Sequence, residues 1–352
     1  NILLISLVLW YVSLSPKPLV EVLGVYFCVA HLIAGLGMVF TGAYLGRNFV
    51  FKRPDIKYIK LYVYFALPLF LAAVSAVIVN NTDRVMLQFF WNVSEVGAYF
   101  GLQKIISFFL LFGQAMSSIL LPTLSYHISK SDYHNVRRVT HRAERYLSLT
   151  LTPFIMLIIV YPSEILNFWN VKLVPYALPL QILAIQAYLY LITIPYSIHF
   201  WGAGETIEAT KVGVTRATLN FVLNAVLIPT SILGVPLAGL KSTGAALATF
   251  IAYFLTFIII RIKVRHITGT GSNPAVLKHL FAAIICGAVL WYVSLFTQPT
   301  KISELGIHML AFLGLYFSIL YVWREFGKKD ITFMLHTIKG LFRLQSKIKK
   351  NR

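Results

Sequence analysis

The sequence predicts an all-α fold, a polytopic membrane helix bundle of about ten transmembrane helices. Three observations carry that prediction. Hydrophobic residues make up 58% of the chain and charged residues only 12%, against about 25% charged in a typical soluble domain. The mean hydropathy is +0.75, and the apolar residues gather into runs of about 20, the length that crosses a hydrocarbon core of about 30 Å. Between the runs, clusters of Lys and Arg recur in alternate loops, the pattern that fixes membrane topology.

In chain order the apolar runs fall at 2–14, 19–45, 61–80, 96–124, 146–162, 175–199, 212–232, 242–260, 276–296 and 305–323. Tyr and Trp sit near many run ends, where interfacial anchors belong. Four basic stretches follow the second, fourth, eighth and tenth runs. They carry Arg47, Lys52, Arg53, Lys57 and Lys60; then Lys130, Arg137, Arg138, Arg142 and Arg145; then Arg261, Lys263, Arg265 and Lys278; and finally the tail from Arg324 to Arg352. The alternate loops hold scattered charges such as Lys17, Lys172, Lys241 and Lys301. All four basic stretches therefore share one side, and the positive-inside rule places both ends of the sequence in the cytoplasm of a multi-pass protein of the cell membrane. The net charge of +19 is then topology, not a nucleic-acid surface.

Cys28 and Cys286 both lie inside apolar runs, which argues against a disulfide framework or a thiol metal site. The chain opens inside an apolar run without an initiator Met, so a longer protein is expected. Residues 330–350 space Met334, Leu335, Ile338, Leu341, Phe342 and Ile348 helically among Lys339, Arg343 and Lys347. That is either an amphipathic segment on the anionic leaflet or a solvated basic tail.

Ionisable groups within a bilayer cost roughly 2.5–3.5 kcal/mol each on insertion scales, so they face cavities or mark function. The third run meets Asn80, Asn81, Thr82, Asp83 and Arg84 and then turns apolar again to about Trp91. Asp83 and Arg84 are read either as a functional pair or as an interfacial pair that ends the helix. The fourth run holds Gln103, Lys104, Ser107, Gln114 and Ser118 within an arc of about 100°. This stripe is either the lining of a polar interior or a packing seam with a snorkelling lysine. The seventh run places Arg216, Asn220 and Asn224 on one face, with Arg216 near a membrane boundary where it too can snorkel. Gly244, Ala248 and Ala252 mark a close helix contact. Pro68, Pro153 and Pro195 are candidate kinks.

Catalytic motifs fail on inspection. The segment from Gly234 to Gly239 begins like a phosphate loop, but Leu240 stands before Lys241. His199, Glu205 and Glu208 share a short loop region without metal-ligand spacing. Asn92-Val93-Ser94 fits a glycosylation triplet, and Ser94 serves equally as a helix N-cap. The reading is a protein with no catalytic residues, no metal and no cofactor.

One ordered series of residues resembles a known family. Pro68, Asn81-Thr82-Asp83-Arg84, Val96-Gly97-Ala98-Tyr99 and Leu121-Pro122 are followed by Arg145-Tyr146 with Pro153 and by Ile182-Leu183-Ala184. Leu219-Asn220, Leu223-Asn224, Ile228-Pro229, Gly234 and Gly244 to Thr249 complete it. Across roughly residues 61–262 this resembles the second lobe of the polysaccharide and O-antigen flippases of the multidrug/oligosaccharidyl-lipid/polysaccharide exporter superfamily. The resemblance implies two six-helix lobes around a cavity that opens alternately to each side. Residues 1–60 would then hold the last two helices of the first lobe and a linker, with about four helices expected before them. Residues 61–262 would form the second lobe, 263–325 an extra helix pair, and 326–352 a basic cytoplasmic tail.

The function so implied is movement of a polyprenyl-phosphate- or diphosphate-linked oligosaccharide from the inner to the outer leaflet. Lys104, Arg216 and Arg84 would compensate the phosphate charge, and Asn220, Asn224, Gln103 and Gln114 would meet sugar hydroxyls. Asp83 is the candidate for ion coupling, or else the partner of Arg84. The expected partners are the lipid-linked oligosaccharide, membrane lipids and glycan-assembly proteins. The rival readings are a cation-coupled multidrug exporter of the same superfamily and, from another class, a membrane-embedded glycan polymerase.

Overall fold

The computed structural model describes residues 20–45, 55–297, 299, 302–327 and 330. The expected run at 2–14, Lys17, the basic positions 47–53, Lys301 and the amphipathic segment beyond residue 330 lie outside the described residues. The chain divides into two compact units, Asn1–Tyr62 and Val63–Arg352. The first unit contributes helix α1 (Val20–Leu45).

Among the described residues, nine further helices follow in order: α2 (Ile56–Phe90), α3 (Val93–Ser129), α4 (Tyr133–Val160), the short α5 (Pro162–Trp169), α6 (Ala177–Gly202), α7 (Thr206–Leu227), α8 (Lys241–Thr268), α9 (Ala275–Ser294) and α10 (Ile302–Val322). A 3₁₀ turn, Val171–Tyr176, leads into α6, and a two-residue hairpin separates α7 from α8. Its register pairs Ser231 with Pro236 and Ile232 with Val235, and Gly234 takes the left-handed turn position (φ 82°). The segment that began like a phosphate loop is this turn and its exit.

Seven helices among the described residues are long and apolar enough to cross a membrane: α2, α3, α4, α6 with its 3₁₀ lead, α8, α9 and α10. The chain is an all-α membrane bundle. α7 fails that measure because Glu208, Lys211, Arg216, Asn220 and Asn224 dilute its apolar residues, yet it packs among the spanning helices. Length is ample elsewhere. The 35 residues of α2 extend about 52 Å at 1.5 Å per residue.

Capping explains several boundaries. The Asn92 side chain accepts from the Glu95 N–H (3.0 Å) at the start of α3, so Asn92, not Ser94, is the N-cap. Asp132 accepts from the Asn135 N–H (3.2 Å) to start α4. The second basic stretch is therefore helical, and the apolar run there undercounted α4 by more than three turns. Gly269, left-handed at φ 67°, ends α8.

α6 is buried on nearly every side, as an all-round apolar helix must be. Its Leu180, Ala184, Ala187 and Leu191 form the main core with Tyr99 and Leu102 of α3 and Leu147 and Leu151 of α4. The small residues of α8 let it approach α7 closely. A Cβ on Gly244 would lie 2.5 Å from the Leu227 carbonyl oxygen, and Ala248 and Ala252 are fully buried. A second core joins α4 to α9 and α10 through Leu149, Cys286, Phe312 and Tyr316.

The two ends of the bundle are joined differently. At the basic end, Arg137 donates to the Gly269 carbonyl (3.0 Å) and Arg145 binds Glu325 (2.7 Å) and Asp330 (2.8 Å). The Arg145 guanidinium holds the Asp330 carboxyl below its ordinary range. At the opposite end, Trp91 Nε1 donates to the Ile228 carbonyl (2.9 Å), and the Tyr176 hydroxyl donates to Glu95 (3.3 Å).

Candidate functional site

A cavity of about 650 Å³ lies among α2, α3, α6, α7 and α8. Its polar side chains reach it because each helix turns one face inward. On α3, Gln103, Lys104, Ser107 and Gln114 line it, as a stripe at helical spacing does; Ser118 is outside it. α2 contributes Asn80, Asp83 and Arg84, and α7 contributes Arg216.

The cations occupy two corners. In the first, the Arg84 guanidinium and the Lys104 ammonium both lie over the Phe100 ring, 4.9 Å and 4.8 Å from its centre. Arg84 Nε also donates to Gln103 Oε1 (2.9 Å). In the second corner Arg216 lies 4.4 Å from the centre of the Tyr253 ring and donates from Nε to Thr256 Oγ1 (3.1 Å). Tyr190 meets Tyr253 edge to face at 5.7 Å. Ring faces hold these cations without neutralising them, so their charge remains available to an anionic guest.

Asp83 is the acidic member of the lining, and it is 1% exposed. Its carboxylate accepts from the Tyr99 hydroxyl (2.8 Å), the Asn224 amide (2.6 Å) and the Thr249 hydroxyl (3.0 Å). Asn220 supports the cluster, donating to Thr249 (3.1 Å) and accepting from Asn224 (3.0 Å). Four helices thus meet at one carboxylate through neutral donors.

This geometry corrects two expectations. Asp83 is not the partner of Arg84, because successive helical residues point about 100° apart: Asp83 meets Tyr99, Asn224 and Thr249, and Arg84 meets Gln103 and Phe100. Asn220 and Asn224 do not line the cavity. Both are fully buried: Asn224 Nδ2 donates to Asp83 and to Asn220 Oδ1, and Asn220 Nδ2 donates to Thr249, while Asn224 Oδ1 is buried without a partner. Lys104, Arg216, Arg84, Gln103 and Gln114 do come together around one space.

The expected loop cluster of His199, Glu205 and Glu208 also dissolves. His199 is buried in α6 between Thr140 (2.8 Å) and Thr268 (2.9 Å), while Glu208 pairs with Lys211 (2.7 Å) and with Lys263. Among the described residues no group of three His, Cys, Asp or Glu side chains is placed to hold a metal. Sequence reading missed Phe100, Tyr190, Tyr253 and Gln186, which line the cavity. Aromatic residues are abundant in every run, so periodicity alone did not distinguish these. The one usable signal was Phe100, four residues before Lys104.

Residues 22–169 match the family model described as "Polysaccharide biosynthesis protein". Among the solved structures that share the fold are two transporters. One is a lipid II flippase, MurJ, in an inward closed conformation, with a TM-score of 0.63 at 16% identity over 81% of this chain and 59% of that one. The other is an outward-facing multidrug resistance MATE family transporter of the MOP superfamily, with a TM-score of 0.50 at 15% identity over 75% of this chain and 65% of that one. The chain thus spans less than two thirds of either. No curated protein sequence is significantly similar to it. The family-model match covers less than half of the chain, and the two structures, at 15–16% identity, share its fold.

Proposed function

We propose, starting from that family and that transporter fold, that the protein moves a polyprenyl-phosphate- or diphosphate-linked oligosaccharide across the membrane by alternating access. The observation that carries this reading is the charge of the cavity. Arg84, Lys104 and Arg216 all line it, and the lining carboxylate, Asp83, is already engaged by three donors. A phosphate head group leaving water needs compensating charge in a low-dielectric interior, and cations resting on aromatic rings supply it. Gln103, Gln114 and Gln186 offer hydrogen bonds to sugar hydroxyls, and the faces of Tyr190 and Tyr253 offer apolar surface to sugar rings. The transport step makes and breaks no covalent bond.

With the basic end in the cytoplasm, substrate enters from the inner leaflet and leaves to the outer one. Asp83 is the coupling candidate, since a proton or monovalent cation there would change the bonds that join α2, α3, α7 and α8. A multidrug exporter for cations fits less well, because a cationic guest would meet three like charges. The test is substitution of Lys104 in the full-length protein. Lys104→Ala is expected to leave membrane insertion intact and strongly reduce export of glycan, while Lys104→Arg retains more. Wild-type export by Lys104→Ala at equal protein level would remove the cationic cavity from the mechanism.

A further inference from the structure

Beside the cavity lies a second space of about 400 Å³ between α2 and α7. Its walls are Leu67 and Leu71 of α2 and Ile207, Thr210 and Val214 of α7, with Lys211 at the basic rim. Leu67, Leu71, Ile207 and Val214 are all exposed, and Lys211 is ion-paired with Glu208 at 2.7 Å. We propose that this crevice holds the hydrocarbon tail of the lipid whose head group occupies the cavity; the proposal rests on the flippase reading.

The crevice and the cavity are two sides of one helix seam. Residues adjoining the crevice residues along the same helices, Ala72 and Ser75 on α2 and Ala209 and Gly213 on α7, line the cavity. The seam is made of small side chains. A Cβ added at Gly213 would find Ser75 Cβ at 3.9 Å, an ordinary contact with no bulky group between. α2 and α7 are tied at Asp83 and Asn224 (2.6 Å), twelve residues beyond Leu71 on α2. That is about 18 Å further along the helix, so the tie leaves the seam beside the crevice to small residues alone.

Chemistry names the occupant. An amphiphile with an anionic head and a long apolar tail cannot bring both parts into a polar cavity, since burial away from water stabilises apolar surface by roughly 25 cal/mol per Å². A polar cavity and an apolar crevice separated by a thin seam suit its two parts. The crevice also sits toward the basic end, on the leaflet side from which loading is proposed. The tail would then leave the cavity between α2 and α7.

The test is photolabelling of the full-length protein in lipid nanodiscs. The probes are a polyprenyl diphosphate with a diazirine in the isoprene units nearest the head group and a phosphatidylcholine with a diazirine in its acyl chain. The polyprenyl probe is expected to label the peptides containing Leu67–Leu71 and Ile207–Val214 saturably and in competition with unlabelled polyprenyl diphosphate. Val214→Trp, which fills the crevice from an exposed position, should cut that labelling about tenfold. Val289→Trp, exposed on α9, should not. Equal labelling of the crevice by the phosphatidylcholine probe without competition would overturn the proposal and make this a bulk-lipid site. Competable labelling confined to other helices would overturn it while leaving the flippase reading intact. Saturable labelling nowhere would remove the flippase reading, and the crevice proposal with it.

Discussion

Two buried carboxylates in this bundle are held in opposite ways. Glu144 of α4 is 1% exposed, at the basic end. It pairs with the Arg261 guanidinium of α8 and accepts from the Tyr196 hydroxyl at 2.6 Å. Arg261 in turn lies over the Tyr196 ring at 3.5 Å. Asp83, equally buried, has only hydroxyl and amide donors and borders the cavity. A carboxylate matched by a cation locks helices together and has no reason to change partners. One matched by neutral donors keeps a charge that a proton or a cation can answer. The first is a rivet of the fold, and the second is the site proposed to respond.

The largest effect should come from breaking the rivet. Arg261→Met leaves Glu144 buried without a counter-ion and is expected to cost about 3–5 kcal/mol, read as a lower melting temperature in detergent. Pairing it with Glu144→Gln should recover most of that loss. A double variant as unstable as the single one would show that stacking, not charge, holds this site. Asp83→Asn should cost less, about 2 kcal/mol, because its partners are neutral. Its transport, however, should lose any dependence on pH or sodium that the wild type shows, and a variant that kept the full dependence would move the coupling site elsewhere. Thr249→Val removes one of three donors and should cost about 1 kcal/mol, with transport weakened but still ion-dependent. The mildest probe is positional. Cysteine at Ser131, near the Glu144 end, should be shielded from an impermeant thiol reagent in intact cells, and cysteine at Leu233, on the hairpin tip, should react. The reverse pattern would invert the membrane orientation.

The contrast also shows what a sequence discloses and what it conceals. The spanning helices were legible because hydropathy over about 20 residues is a local property, and the stripe from Gln103 to Gln114 was legible because helical phase is local too. The starts of α4 and α7 were not, since both lie in polar sequence; α4 is set off by the Asp132 cap, whereas α7 begins without a side-chain cap. Partner choice was hidden for the same reason. Asp83 and Arg84 are adjacent in sequence but part company around the helix. Asn224, expected in the cavity, instead finds Asp83 across 141 positions of chain. Thr249 had been read only as the last residue of the resembling series from Gly244, and the tight packing of that segment brings its hydroxyl to the carboxylate.

The central claim is that a cavity with three cations carries an anionic lipid-linked glycan. It is tested most directly with the purified full-length protein in liposomes containing a fluorescent polyprenyl-diphosphate oligosaccharide, with its transbilayer movement followed by a membrane-impermeant quencher. Wild type should speed equilibration between leaflets, Lys104→Ala should fall close to protein-free liposomes, and Lys104→Arg should stand between them. Equilibration no faster than in protein-free liposomes, or equal rates for wild type and Lys104→Ala, would contradict the account.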